Sequence, residues 1–446
     1  MTRYAIAGLS NRGVASFVRP ILGSLGGADT ALGYGENAED YSEHADVVAV
    51  VDPDEARVTA FNESLLPPGH APLAWYSPDD FDRMVDEVRP DVVVVASPDH
   101  THAAYVLAAL RRDVDVIVEK PMVTTAADAA AVLAAEQASK ATVRVTHNLR
   151  YTLRHRTIKR LILDGAIGRP THVSLDYHVD IRHGASFFLR WNRRRELSGG
   201  LSVHKSTHHL DLVSWWLDDV PERVFAIGGR HYYGPDSPHR PRDENGAPLT
   251  GAALRDNDPY YQAQLGSNTF PDGAAADRVG LFGLSYGHQY PAGQDMYLYD
   301  DEIDVEDTYS ALVAYRGGIA LSYTIDFSSP WEGYRVTING THGQIETLHS
   351  RLPGGGALPG SDDITYRPLF GEARTIEVAT VAGGHEGADP LLRHDLFVGP
   401  GRESLDLGLL ADSADGARAV ATGEAIWRSI ATGEVLDVDG LLTPPE

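Results

Sequence analysis

Glu119-Lys120-Pro121 closes the apolar run Val114-Asp115-Val116-Ile117-Val118 and puts an amine where proton chemistry is possible. Open α/β sheets bind ligands in the crevice outside the carboxyl ends of their strands, so Lys120 is expected beside a bound cofactor. Desolvation there disfavours the ammonium form. The amine then titrates closer to neutrality and can give or take a hydroxyl proton. Pro121 lacks an N–H and ends the strand. The plainer alternative is a strand-end lysine paired with its neighbour Glu119.

The elements that must position Lys120 begin at Arg3-Tyr4-Ala5-Ile6-Ala7, a first strand running into Gly8-Leu9-Ser10-Asn11-Arg12-Gly13. This is G-x-S-x-x-G, one glycine short of the dinucleotide fingerprint: Gly8 makes the tight turn and Gly13 allows close helix–strand packing. Ser10 replaces the middle glycine; its small hydroxyl lets a pyrophosphate approach and can donate to it, while the helix N-terminus supplies backbone N–H groups. The continuous apolar run Val47–Val51 has the character of a strand buried on both faces and ends at Asp52. A carboxylate there accepts from both adenosine ribose hydroxyls and repels a 2′-phosphate, which favours NAD over NADP. Asp52 lies farther from the glycines than the usual interval of about 20 residues, and the excess falls in Gly23–Asp46, an inserted loop or distorted helix. A third run, Asp91–Ala96, leads to Ser97-Pro98-Asp99-His100-Thr101-His102, where Asp99 or Thr101 can cap the next helix. Four strand ends thus converge on one crevice.

These residues resemble those of the Gfo/Idh/MocA oxidoreductases, named for glucose–fructose oxidoreductase and inositol dehydrogenase. The resemblance runs through the Gly8 turn, Asp52, Ser97–His102, Glu119-Lys120-Pro121, Asn148-Leu149-Arg150-Tyr151 and Gly199-Gly200 to Asp211, and so covers most of the chain. It implies a Rossmann domain with a doubly wound parallel sheet over residues 1–147. An α/β substrate domain with an open, mainly antiparallel sheet follows over 148–446 and often mediates oligomerisation, here as a dimer or tetramer. It implies a catalytic, substrate-orienting role for Lys120. Cofactor contacts are expected from Gly8, Ser10, Asn11, Arg12, Gly13 and Asp52, and on the other strands from Ser97, Pro98, His102, Glu119 and Lys120. Substrate contacts are expected from Asn148, Arg150, Tyr151, His208 and Asp211.

A second cluster spans Gly199 to Asp211. Leu210, Leu212, Val213 and Trp216 supply an apolar helical pattern, so the polar residues stand near a helix start facing a cleft. By resemblance His208 is the acid/base histidine, and Asp211, three residues on, can face the same way. A neutral imidazole suits a hydride transfer that must lose a proton. The common pattern is Asp-x-Gly-x-His-x-x-Asp, whereas His204 and Ser206 stand here in place of its Asp and Gly. The ordinary Lys/Asp/His trio is therefore incomplete, and His204 and Lys205 join Lys120 and His208 as catalytic candidates. Lys205 is either a second ammonium in the pocket or a structural lysine. His209 points about 100° away from His208 on a helix and can bond inside the core. His204 and His208 share the i, i+4 spacing of two zinc ligands; with no cysteine, no His-Glu-x-x-His and a nicotinamide-dependent resemblance, no metal is expected. The run Lys-Ser-Thr-His-His followed by Asp is similar to a subgroup acting largely on sugars and glycosides.

The chain has 446 residues, enough for two cores, and no cysteine, which excludes disulfides and thiolate chemistry. A net charge of −25 opposes nucleic-acid binding. No apolar run approaches the ~18 residues that span a bilayer, and no leader-like segment precedes the first strand. A cytoplasmic enzyme is the expectation.

Beyond the first half, Thr157–Leu163 reads as a helix and Thr171–Val179 as a strand. Thr308–Tyr315 and Ile319–Ile325 flank a hairpin turn, and Asn339-Gly340 marks another. The irregular, tyrosine-rich stretch at about 234–307, including Tyr260, Tyr286 and Tyr290, is read as an ordered excursion near the site or a subunit contact. Trp191, with Arg190, Arg193 and Arg194, has the aromatic and polar mix that suits a carbohydrate; the arginines equally suit loop ion pairs. In Gly383–Pro390, a motif similar to the same subgroup, His385 and Asp389 are candidate pocket residues. A final helix around Ala417–Ile430 stops near Gly433 and reads as structural.

The expected function is NAD-dependent hydride transfer at a secondary hydroxyl of a sugar, glycoside or cyclitol. Two alternatives stand beside it. One is a glycosidase or lyase that oxidises its sugar transiently with bound NAD and eliminates the aglycone. The other is a non-catalytic sugar-sensing regulator, against which Lys120 and His208 and the lack of a basic DNA-binding module argue.

Overall fold

The computed structural model describes residues 1–23, 39–264, 280, 282–289, 295–379 and 384–443. Most of the insertion expected before the second strand, together with Tyr290 and the side chain of His385, lies outside the described residues.

The valine-rich runs become a parallel sheet. β1 (Thr2–Ala7), β2 (Ala45–Val51), β3 (Ala74–Tyr76), β4 (Val92–Val95), β5 (Asp115–Val118) and β6 (Val143–Val145) pair in the order β6-β5-β4-β1-β2-β3. Val93, Val94 and Val95 are all buried, as are Val116 and Val118, because helices cover both faces. β1 lies between β2 and β4, so connections leave it in opposite directions and open a crevice at its carboxyl end. Gly8, Asp52, Ser97 and Glu119 follow β1, β2, β4 and β5 at that edge.

The second sheet contains β7 (Pro170–Asp180), β8 (Pro221–Gly229), β9 (Thr308–Tyr315), β10 (Ala320–Ser329), β11 (Glu332–Gly340), β12 (Gly343–Arg351), β13 (Ile364–Pro368) and β14 (Arg374–Ile376). β15 (Ala411–Asp412) returns to β6 of the first sheet and pairs antiparallel, while β16 (Leu436–Asp437) joins β8. The order is β14-β13-β12-β11-β7-β10-β9-β8-β16, and of its pairs β10 with β7 is parallel and the rest antiparallel. Alternation is clean where one face is covered: Leu321, Tyr323, Ile325 and Phe327 of β10 are buried, and the residues between them are not.

The turn joining β11 to β12 falls at Thr341-His342, later than Asn339-Gly340 suggests. Gly340 serves a close approach instead: a Cβ there would lie 2.2 Å from the Ile167 carbonyl oxygen. The helix Ser413–Thr432, stopped by left-handed Gly433, seams the halves together. Its Ala417 and Val420 pack in the first core and its Ala421, Ala425 and Ile426 in the second. Within the excursion, Tyr260 and Tyr299 are buried and Tyr299 Oη donates to Asp258 Oδ2 at 2.6 Å, so its described part is packed structure. Among the described residues no helix is long and apolar enough to cross a membrane.

Candidate active site

The glycine turn is shaped by contacts that only glycine permits. Gly8 has φ +94°, and a Cβ on it would sit 2.5 Å from Ser97 Cα; a Cβ on Gly13 would sit 2.6 Å from the Gly8 carbonyl oxygen. Ser10 caps the helix that starts at Asn11, accepting from Gly13 N at 3.0 Å and donating to Ala96 O at 2.7 Å. Its hydroxyl is thus committed to the turn, and the helix N-terminus is left to meet a pyrophosphate. Ser97 Oγ lies 2.6 Å from Thr101 Oγ1, and Thr101 donates to Pro98 O at 2.7 Å, which fixes the turn after β4. The cradle fits a dinucleotide.

Asp52 differs from the expectation of a free carboxylate. It accepts from Leu9 N at 2.8 Å and Asp54 N at 2.9 Å, and Arg57 Nη1 lies 3.0 Å from each of its oxygens. Tyr286, from the excursion, stacks 4.6 Å over the Arg57 guanidinium and donates to Leu9 O at 3.0 Å. Ser285 O accepts from Arg57 Nε at 2.8 Å. The Asp52 end of the crevice therefore holds Tyr286 and Arg57 packed against that carboxylate.

At the other end stands Lys120. Its Nζ donates to His204 O at 3.2 Å. Burial is the main cause that lowers its pKa to about 8; Asp99 and Glu119 oppose that shift, and Lys205 and Arg12 add to it. His208 is close enough that the Lys120 charge, after burial itself, drives its pKa further down, well below the usual imidazole value. It is therefore neutral, and among the described residues its buried Nδ1 has no hydrogen-bond partner. Lys205 lies 5.2 Å from the centre of the Tyr177 ring, its pKa lowered by burial against the pull of Glu332.

The polar residues do stand at a helix start, that of Thr207–Leu217, and a separate short helix, Leu201–His204, precedes it. His204 and His208 consequently do not share one helical face. His204 Nδ1 lies 2.5 Å from Asp99 Oδ2 and its ring meets Phe187 and Trp191 edge-on, which puts Trp191 at the crevice wall. Asp99 is thus spent on His204 rather than on capping a helix, and Thr101 makes no side-chain cap either. His209 stacks on Tyr177 and lies 2.8 Å from Tyr323 Oη, a core role.

Several candidates hold the walls together. Arg12 pairs with Glu119 at 2.9 Å and with Asp389 at 2.8 Å, while Asn148 donates to Asp389 at 2.8 Å. Asn11 lies against the excursion, where a Cβ on Gly280 would sit 2.3 Å from its Oδ1. His102 is buried with one ring nitrogen 2.9 Å from Pro121 O and the other 2.8 Å from Ser97 O, joining the β4 and β5 ends. Arg150 and Asp211 are both 3% exposed and form a bidentate pair, and Tyr151 donates to Asp395 at 3.0 Å. These three side chains are committed to each other or to the core and do not open on the amine. Asp99, Arg57 and Asn192 escaped the sequence reading as site residues. Asp99 stood in a quoted motif, but nothing local marked its partner.

Two family models match the chain: the NAD-binding Rossmann fold of an oxidoreductase family over residues 21–147, and that family's C-terminal alpha/beta domain over 159–438. The protein YteT of Bacillus subtilis (strain 168) is 43% identical over 441 residues, covering 97% of this chain and 96% of its own. The chain belongs to the Gfo/Idh/MocA oxidoreductases. An inositol 2-dehydrogenase of Rubrobacter xylanophilus is 29% identical over 156 residues, 34% of this chain and 40% of that one. A solved levoglucosan dehydrogenase, in complex with NADH and levoglucosan, shares the fold with TM-score 0.63 at 16% identity over 98% of this chain and 99% of that one. As a Gfo/Idh/MocA member the protein is an NAD-dependent oxidoreductase acting on a CH–OH group of a small molecule.

Proposed function

We propose that this enzyme oxidises a secondary hydroxyl of a sugar, glycoside or cyclitol, with Lys120 as the proton acceptor. The observation that carries the reading is a largely desolvated amine with its pKa lowered to about 8, delivered by β5 to the mouth of the dinucleotide crevice. NAD, when bound, supplies the hydride acceptor. Near pH 8 a useful fraction of Lys120 is neutral and can take the hydroxyl proton. His204 O orients the amine. His208 offers a neutral imidazole to the same hydroxyl or its neighbour, and Lys205 adds a cation on the substrate side of Tyr177. Trp191 and Phe187 give an apolar wall against which a ring's C–H face can lie. Two proteins similar to this one, an inositol 2-dehydrogenase and a levoglucosan dehydrogenase, support a polyhydroxylated ring as substrate. A homo-oligomer, dimer or tetramer, is part of the proposal.

The test is anaerobic incubation of the enzyme and NAD with a panel of aldoses, methyl glycosides and inositols, followed at 340 nm. Stoichiometric NADH from one of them supports the reading. Glycoside cleavage without NADH accumulation would replace it with transient oxidation and elimination, and no turnover across the panel would overturn it.

A further inference from the structure

Asp99, His204 and Lys120 form a chain that crosses between the two halves of the protein twice. Asp99 leaves β4 in the turn Asp99–Thr101 and is 6% exposed. Its Oδ2 lies 2.5 Å from Nδ1 of His204, which comes from the substrate domain, and the His204 backbone carbonyl accepts from Lys120 Nζ at 3.2 Å. The imidazole is held on its other sides as well. Phe187 and Trp191 meet it edge-on with centroids 5.6 and 5.8 Å away, and Asn192 Nδ2 lies 3.2 Å from Nε2. With the ring proton on Nδ1 toward Asp99, Nε2 accepts from Asn192, and neither nitrogen is left for a substrate. That arrangement makes His204 a brace and not a base.

We infer that Asp99 is a positioning residue: through His204 it holds the Lys120 amine at the strand end and provides the negative charge beside which that amine works. The inference rests on Lys120 being the proton acceptor. It also accounts for the departure of this chain from the pattern Asp-x-Gly-x-His-x-x-Asp. Where that aspartate would stand there is His204, and a carboxylate reaches it from the other domain.

The charges that bear on Lys120 are Asp99 and Glu119, which favour the ammonium, and Lys205 and Arg12, which oppose it; the imidazoles of His147, His204 and His208 lie around it. Asp99→Asn keeps an acceptor for His204 Nδ1 and removes the charge. The amine then loses its proton at lower pH, by about one unit for a close partner.

Competitive acetylation of the full-length enzyme with trace acetic anhydride across pH 6–11, read at Lys120 by peptide mass spectrometry, measures this without a substrate. The expected result is a midpoint near 8 in the wild type and a midpoint lower by about one unit in Asp99→Asn. His204→Asn, which keeps the backbone carbonyl and cuts the tie to Asp99, should raise the acetylation rate of the neutral amine at least severalfold as it loses its fixed direction. A midpoint unmoved in Asp99→Asn together with an unchanged rate in His204→Asn overturns the inference. Lys120→Met reports separately on the reading beneath it: retained turnover there removes Lys120 as base, whatever the labelling shows.

Discussion

Arg12 and Asp389 meet in a two-pronged ion pair, Nη1 to Oδ2 at 2.8 Å and Nη2 to Oδ1 at 3.1 Å, across 377 residues of sequence. Arg12 stands in the glycine turn and also holds Glu119, so the pair ties the cofactor cradle and the β5 end to the helix Gly384–Phe397. Asp389 is 1% exposed. Asp389→Ala strands part of the Arg12 and Asn148 donors; it is expected to destabilise the protein by about 2 kcal/mol and weaken NAD binding several-fold. Urea denaturation and a fluorescence titration with NAD check the two effects.

Lys120 couples pH to stability and, as the proposed base, to rate. Its amine titrates near 8 when folded and near 10.5 when unfolded, so the unfolded chain binds more protons between those values and stability rises with pH across that window. Below it the desolvated ammonium costs up to about 3 kcal/mol. Lys120→Met is therefore expected to be more stable than the wild type at pH 7 and to lose that advantage by pH 11, which denaturant midpoints at the two pH values measure.

On the proposed role of Lys120 as proton acceptor, the rate follows the same group with the opposite requirement. A base must be neutral, so kcat/KM for oxidation is expected to climb through pH 8 and level off above it. His208, already neutral well below this range, contributes no limb there. A steady-state pH profile with NAD saturating tests this.

Asp52 and Arg57 are buried partners, 1% and 7% exposed. Removing the carboxylate takes away the close ionic partner of the guanidinium beneath Tyr286 and leaves it Ser285 O at 2.8 Å and the Asp54 carboxylate at 3.7 Å. Asp52→Ala is expected to destabilise the fold by about 3–5 kcal/mol, an effect that thermal or urea unfolding reads before any change in cofactor choice.

Tyr286 lies over Leu9 and Arg57, beside the Asp52 carboxylate that is expected to meet the ribose of a dinucleotide. Displacing it lowers the apparent affinity by the fraction of molecules in which it stands aside. Tyr286→Ala is expected to tighten NAD binding by roughly threefold to tenfold, measured by isothermal titration calorimetry.

The sequence carried the framework because periodicity and backbone geometry are local. Valine-rich apolar runs marked β2, β4 and β5, Gly8 marked the turn, and Pro121 marked the strand end that delivers Lys120. Side-chain pairing across the crevice left no such trace. Arg150 and Asp211, 61 residues apart, each looked like a substrate ligand until they were seen to satisfy one another. Asp99 read as a helix cap because its true partner, His204, is 105 residues away. The break between Leu201–His204 and Thr207–Leu217 was equally hidden, since Lys205 and Ser206 are not helix breakers. What ends the first helix is tertiary: Ser206 Oγ is drawn to the hydroxyls of Tyr309 and Tyr323 at 2.6 and 2.7 Å.

The assignment of Lys120 is tested most directly by single-turnover mixing of the NAD-loaded Lys120→Met variant with the best substrate of the 340 nm panel. A hydride-transfer rate lower by about 10²–10⁴-fold, with NAD affinity unchanged, is the expected result. A rate within a few-fold of the wild type would contradict the account.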